Sequence, residues 1–561
     1  MNNAELIVAM LGRAGVRWAF GVPSGPVLPL IEAMRGSQVE YVLTGSETAA
    51  GYMAAMTGQL TGVPGVCVST LGPGATNLAT GVGGAWLDRA PVVAITCNVP
   101  TPWLRRRIQM RIDHHALFGP ITKASFPLRQ GLVADPLAKA LAIALDEPPG
   151  PVHLDLPEDV AVSEAAEPPV SFQPRTVLPD CSGEVAAQLS EALARSRRPI
   201  VITGLTFTRS RLAKVLLRFI ERQRLPFITT AHAKGFLPES HPNWAGVIGR
   251  ARRTNVQRFV EQADLIIAVG YDPIEINYEE WTGGTPIFHL SSEAAEPGDG
   301  LRLAFNTPLD LDRAIARLPE LPAAANDWVE EEWVAHRLAF ERALRPSLTP
   351  SPPLPSPPAP LPTVGRGGQS LERGAREGAG LTLHGVLDVL HALLPPDGIL
   401  TYDVGAHHHQ VASQWRTDEP WNCLSTNGWS SMGIAMPAAY AAKLVHPDRP
   451  VVAVLGDGCF HMTAGELNVA RRLRLAVPHI VLNDGWLSLI KIKQDRHDYG
   501  YSGVFLGEPP ESPPHYFGVP CRPARDAETL DAAIRWGLAL DGPSVIEAFI
   551  DAGPLSETVY D

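Results

Sequence analysis

Two carboxylates near the C-terminus have the type and spacing to hold a metal ion. Asp457 lies in VVAVLGDGCFHM, after the apolar run Val451–Leu455. Asp484 lies in PHIVLNDGWLSLI, after the apolar run Ile480–Leu482 and 27 residues beyond Asp457. Each run breaks at a turn, Gly456-Asp457-Gly458 and Asn483-Asp484-Gly485. Between them, Met462–Arg474 carries Leu467, Ala470 and Leu473 at helical spacing, so a strand–helix–strand unit is predicted. Such a unit brings both strand C-termini to one edge of a parallel sheet, where ligands bind. Carboxylates there suit a hard cation such as Mg²⁺, whose shell phosphate oxygens and water complete. The flanking glycines let backbone approach a ligand. GDG alone is a common strand-to-turn sequence; followed by a crossover helix and strand-NDG, it is far more specific.

A second group lies near the N-terminus. In Thr44-Gly-Ser-Glu47, Ser46 or Thr44 can cap a helix whose first turn holds Glu47. Read alone, Glu47 is a surface acid favoured by the helix dipole. Leu71-Gly-Pro-Gly-Ala-Thr-Asn77 follows a strand pattern, 25 residues after Glu47 counted to Gly72. Its glycines could grip a ligand or make an ordinary turn.

The elements that must position these groups are α/β in pattern. A chain of 561 residues with 45% hydrophobic content has room for three domains. Residues 1–165 alternate helix and buried-strand patterns, with strands at Trp18, Val66–Thr70 and Val92–Thr96. Residues 185–335 repeat the pattern at Pro199, Pro226 and Leu265. Residues 381–561 form a third such unit. Repeated βα units imply three doubly wound parallel-sheet domains. Residues 346–362 hold nine prolines in seventeen, so 337–380 reads as a helix end plus an exposed linker.

Charge and composition narrow the partners. A net charge of −12 leaves no basic face for nucleic acid, and Arg105–Arg107 is only a short run. No apolar run reaches membrane-spanning length, and the start lacks signal-peptide features. The six cysteines make no CxxC pair, so a reduced, cytoplasmic protein is expected.

With GDG…ND, Glu47 and GPGxxN in this order, the chain resembles the thiamine diphosphate (ThDP) enzymes, in particular the large catalytic subunits of acetolactate synthases. The resemblance spans nearly the whole chain: pyrimidine-binding domain, central domain, linker, diphosphate-binding domain. It implies that Glu47 hydrogen-bonds N1′ of the aminopyrimidine and so sets up proton removal from C2 within the cofactor. It also implies Mg²⁺ ligation by Asp457, Asp484 and the carbonyl of Trp486. Cofactor contacts are implied for Gly25, Gly72, Pro73, Asn77, Gly405, Ala406, His407, Ser431, Met432, Gly456, Gly458, Cys459, Leu487 and Ser488. Met432 matches the bulky residue that holds ThDP bent; read alone it is plain core. Consecutive His407, His408 and His409 cannot jointly chelate zinc on a regular element.

The family's activity is decarboxylation of a 2-oxo acid, followed by addition to a second carbonyl. Its active site lies between subunits, which implies a homodimer at minimum and usually a tetramer. Some members bind FAD in the central domain, which the pieces Ala233-Lys-Gly and Gly270-Tyr-Asp-Pro-Ile-Glu resemble; no phosphate fingerprint here decides it. The chain departs from the pattern at Asp484 (family Asn), Met110 (family Gln), Leu489 (family Met) and Lys493 (family Trp). His114 and His115 read as structural. A carboligase acting on pyruvate or a near relative is expected. The alternatives are a simple 2-oxo-acid decarboxylase, an aldehyde lyase, or a ThDP-binding protein with little turnover; Glu47 speaks against the last.

Overall fold

The computed structural model describes residues 1–173, 178–180, 182–276, 279–296, 301–345, 380–508 and 510–559. Strands β1 (Trp18–Gly21), β2 (Glu40–Leu43), β3 (Gly65–Ser69), β4 (Val92–Asn98), β5 (Ala124–Pro127) and β6 (Pro151–Pro157) form the first sheet. Its order is β2-β1-β3-β4-β6-β5, with every pairing parallel. Alternate residues serve opposite faces, as the pleat requires. Val66, Val68, Val93 and Ile95 pack with Leu6, Ile7 and Leu11 of the first helix, Asn3–Arg13. Cys67, Val92 and Ala94 face the other way, into a core they share with Ala435, Tyr440, Val451 and Leu455. The first and third domains are thus joined by one hydrophobic core.

The second sheet holds β7 (Pro199–Thr203), β8 (Phe227–Thr229), β9 (Trp244–Val247), β10 (Leu265–Val269), β11 (Ile287–Leu290) and β12 (Leu303–Phe305), in the order β12-β11-β10-β7-β8-β9, again parallel. The third is built from β13 (Leu381–Thr382), β14 (Ile399–Tyr402), β15 (Cys423–Leu424), β16 (Val451–Gly456), β17 (Pro478–Asn483), β18 (His515–Tyr516), β19 (Val519–Ala524) and β20 (Ser544–Asp551). Its order is β15-β14-β16-β17-β20-β19-β18, with β13 on β20 and only β18–β19 antiparallel. Three α/β domains with parallel sheets are therefore present.

Two local expectations change. Met462–Arg474 is not one helix: Asp457–Thr463 and Leu467–Leu473 are helical, with the 3₁₀ turn Ala464–Glu466 between them. The first of these helices starts at Asp457 itself, so the motif residue belongs to the crossover rather than to a loop before it. In the expected linker, helix Glu330–Ala343 covers the beginning, and 346–379 lie outside the described residues.

The three domains also meet at a polar junction. Asp88 Oδ1 accepts the backbone N–H groups of Asn427 (3.2 Å) and Gly428 (2.9 Å). His232 lies between Asp88 (3.4 Å) and Glu275 (3.3 Å), and Asn427 Nδ2 is 3.2 Å from its Nδ1. Arg89 pairs with Asp272 at 3.0 Å and Glu293 at 2.6 Å.

Candidate active site

The C-terminal edge of the third sheet gathers the carboxylates. Parallel pairing of β16 with β17 sets Gly456 beside Leu482, so the turns that follow begin side by side. Asp457 Oδ2 accepts the Gly485 N–H (2.8 Å) and Oδ1 accepts the Gly458 N–H (2.7 Å). Asp484 Oδ1 accepts the Trp486 N–H at 2.9 Å, and the Ser488 hydroxyl donates to Oδ2. Gly485 turns with φ +75°, a conformation that disfavours a side chain. Burial pushes the Asp457 carboxyl up. Asp484 is pushed up to about 7, by burial first and by the Asp457 charge second. Two carboxylates in mutual conflict at a sheet edge are a donor set that a divalent cation would relieve.

Around them lies a cavity of about 260 Å³. Its walls include Gly405, Ala406, His407, Met432, Gly456, Asp457, Gly458, Cys459, Asp484, Trp486, Leu487 and Ser488. Ser431 is not among them; its neighbour Ser430, in the left-handed region at φ +51°, takes that place. The glycines shape the walls. A Cβ on Gly458 would lie 2.6 Å from Leu487 Cδ2 and 3.3 Å from Met432 Cε, and one on Gly405 would lie 2.9 Å from His407 Cε1. His407 is buried and pushed down to about 4 by that burial, so it is neutral at pH 7. Its Nε2 has no hydrogen-bond partner among the described residues. A buried unpaired imidazole nitrogen on a cavity wall is costly unless a ligand completes it. The three consecutive histidines do diverge: His407 lines the cavity, while His408 Nε2 meets Asn427 Oδ1 at 3.0 Å.

The second group sits on the first sheet. Ser46, not Thr44, caps the helix Glu47–Thr61, accepting the Ala49 N–H at 3.2 Å. Glu47 is its first residue and only 8% exposed, so the surface reading fails. Asn77 Nδ2 donates to Glu47 Oε2 at 3.1 Å from the helix Pro73–Leu87. Glu47 Oε1 lies against Gly74, where any Cβ would stand 3.1 Å away. The two helices cross at Gly51 and Gly81, and a Cβ on Gly51 would be 2.8 Å from Gly81 Cα. Gly72 turns at φ +59°, pressed against the Met110 carbonyl. Met110 itself is 41% exposed, so its backbone braces this turn and its side chain points elsewhere. Gly25 opens a 3₁₀ turn, Gly25–Val27, and nothing lies within 4 Å of a Cβ placed on it.

Some supporting residues had no sequence signal. Glu466, buried in the 3₁₀ turn, accepts from Gly45 N–H (2.9 Å) and Ser46 Oγ (3.2 Å), so the third domain holds the cap of the Glu47 helix. His114 Nδ1 meets Asp155 at 3.0 Å and Thr96 at 2.8 Å, and its Nε2 accepts the Gly72 N–H at 3.4 Å. Thr96 Oγ1 is also 2.8 Å from His153 Nε2. The hydroxyl thus occupies the centre of the His114–His153–Asp155 cluster, where a metal would have to sit. His114 thus buttresses the Gly72 turn, and His153 backs it through Thr96.

In the central domain, the amide edge after β7 is already engaged. Glu275 Oε2 accepts the N–H groups of Leu205 (2.8 Å) and Asp272 (3.2 Å), and Thr206 N–H goes to the Gly270 carbonyl at 2.8 Å.

Comparison with known proteins agrees with both halves of this geometry. Residues 1–117 match the N-terminal TPP binding domain of thiamine pyrophosphate enzymes, 186–306 the central domain, and 403–548 the C-terminal TPP binding domain. A probable acetolactate synthase large subunit of Methanocaldococcus jannaschii is 30% identical over 528 residues, 91% of this chain and 85% of that protein. The acetolactate synthase large subunit of Corynebacterium glutamicum is 30% identical over 98% of this chain and 87% of its own. The acetolactate synthase of Bacillus subtilis is 29% identical over 98% and 93%. With three family domains in sequence and relatives aligned over most of its length, the chain belongs to the thiamine pyrophosphate enzyme family.

Proposed function

We propose that this enzyme decarboxylates pyruvate or a close 2-oxo acid and joins the remaining acyl unit to a second carbonyl, as acetolactate synthases do, using ThDP and Mg²⁺. The observation that carries this is Glu47: a buried acid with one oxygen held by Asn77 and the other kept open by Gly74. Bound ThDP supplies the nucleophilic carbon and the electron sink for loss of CO₂. Glu47 holds a proton at N1′, a general acid–base task. Asp457, Asp484 and the Trp486 carbonyl would hold Mg²⁺, and His407 with the backbone of Gly405–Ala406 and Gly458–Cys459 would hold the diphosphate. Leu487 and Met432 wall the cavity against water.

The cavity around Asp457 includes no residue of the first domain. We take this as support for a site completed by a second copy, with Glu47 of one subunit facing Asp457 of the other. Exposed apolar residues beside both halves fit that contact: Ile108, Met110 and Ile112 on the first domain, Phe505 and Leu506 on the third. A homodimer at minimum, and a cytoplasmic homotetramer, is the assembly this reading expects. Among the described residues no helix is long and apolar enough to cross a membrane.

Glu275 already holds the Leu205 and Asp272 amides, so these two are not open to a cofactor pyrophosphate, and we infer that the central domain binds no FAD. The protein should release no flavin on denaturation.

The test is direct: supply ThDP, Mg²⁺ and a panel of 2-oxo acids, and identify products by mass spectrometry. Acetolactate from pyruvate is expected. Free aldehyde alone would make the enzyme a simple decarboxylase, a reading that Lys493 and Leu489 keep open, and no CO₂ from any substrate would make it a binding protein.

A further inference from the structure

Besides the turn after β17, three loops wall the cavity at the third sheet: the turn after β14, the loop carrying Ser430 and Met432, and the turn after β16. One side chain ties the first two together. Asp403 is fully buried and directly follows β14. Its Oδ1 accepts the N–H groups of Val404 (2.8 Å) and Gly433 (2.8 Å), and its Oδ2 accepts the Ala435 N–H at 3.0 Å. The third loop is drawn in beside it, since the Cys459 thiol donates to the Val404 carbonyl at 3.1 Å. Gly433 and Ala435 flank the segment just after Met432, and Gly433 is in the left-handed region at φ +99°. A carboxylate accepting three amides from two chain segments fixes their spacing, since both of its oxygens are committed.

We propose that Asp403 is the positioning residue that latches the Met432 loop to the diphosphate turn, and so sets the cofactor's bend before the cofactor arrives. It rests on the ThDP reading above. Asp403 is not among the residues that wall the cavity; it acts through Gly433, Ala435 and Val404. Asn can keep the Oδ1 contacts to Val404 and Gly433, but its amide group cannot accept from Ala435, so Asp403→Asn keeps the bridge and loosens the hold on the Met432 loop.

The experiment compares full-length wild type with Asp403→Asn. ThDP affinity is measured by calorimetry with Mg²⁺, and exchange of the C2 proton of ThDP is measured by NMR at saturating ThDP. We expect ThDP affinity within about threefold of wild type, but C2–H exchange and kcat each lower by ~10–100-fold, the cost of a roughly 1 Å misplacement. A merely structural role would lower the melting temperature and leave exchange at saturation unchanged; that result overturns the proposal. Hydrogen exchange on the apo wild-type protein gives a second check that needs no variant. Peptides covering 430–436 should already be protected without ThDP, and rapid exchange there would equally overturn the latch. Failure of wild type to bind ThDP would instead remove the cofactor reading, and this role with it.

Discussion

Asn77 Nδ2 donates to Glu47 Oε2 at 3.1 Å, across two helices that begin at the same sheet edge. The bond fixes which oxygen of the acid stays free. Removing the acid in Glu47→Gln should leave ThDP binding intact and lower turnover by ~10²–10⁴, the range for a positioned acid or base. Asn77→Ala keeps the acid but frees its rotation, so a smaller loss of ~10-fold is expected. Exchange of the C2 proton, followed by NMR, ranks the two; near-normal exchange in Glu47→Gln would take Glu47 out of the mechanism.

By the motif resemblance, Asp484 takes the place of an Asn. An Asn could keep both local contacts, accepting from Trp486 N–H and donating to Ser488 Oγ. What it loses is charge. Two unit charges ~4 Å apart interact by about 4 kcal/mol at an effective dielectric of ~20, and a metal between them offsets most of this. Asp484→Asn should therefore bind Mg²⁺ alone more weakly, yet bind ThDP several-fold more tightly at saturating Mg²⁺. Calorimetric titration of both forms decides it, and weaker ThDP binding by the variant would show the charge argument to be wrong.

The Gly51–Gly81 crossing carries a stability prediction. A Cβ on Gly51 would stand 2.8 Å from Gly81 Cα, a backbone atom that cannot step aside. Gly51→Ala should cost about 1–3 kcal/mol by overpacking. Gly465→Ala, where a Cβ meets nothing within 4 Å, is the comparison, and about 0.5 kcal/mol or less is expected there. Urea unfolding of both variants measures the difference; equal costs would mean that the helices can separate freely.

His232 gives the molecule a pH dependence. Burial alone would lower it, but the Asp88 and Glu275 carboxylates outweigh that and raise it to about 9. A histidine bound more tightly to its proton in the folded state stabilises fully below its unfolded pKa of about 6.5, and the gain is lost as pH rises through about 9. The gap is worth on the order of 3 kcal/mol. Calorimetric melting at pH 6.5 and 9.5 should show wild type losing more stability over this interval than His232→Gln. Using the difference between the two proteins cancels Lys123, which burial lowers to about 8 and which shifts stability the opposite way.

Periodicity made much of this legible in advance. Buried runs such as Val92–Thr96 and Val451–Leu455 specify strands covered on both faces, and glycine-bearing turns after them mark the edge where chemistry gathers. Spacing placed Asp457 and Asp484 at one edge correctly, because parallel neighbours end together. What stayed illegible depends on contacts between distant segments. Nothing local tells that Asn77 serves Glu47, that Glu466 braces Ser46, or that Asp403 accepts from Gly433. The crossover departs from its sequence pattern for a related reason. Its apolar spacing is helical throughout, but the turn at Ala464–Glu466 is set by Glu466 reaching into another domain.

The junction around Asp88 and His232 ties the three domains into one unit that heat does not take apart piece by piece. Asp88, His232 with Glu275, and Asn427 come from three different domains, and pulling any one away would strand a buried charge. The first and third domains also share their apolar interior. A chain cut once between residues 346 and 379 should therefore remain a single particle and lose its structure in a single cooperative step. None of the three domains made alone should be a good substitute for the part it plays in the whole.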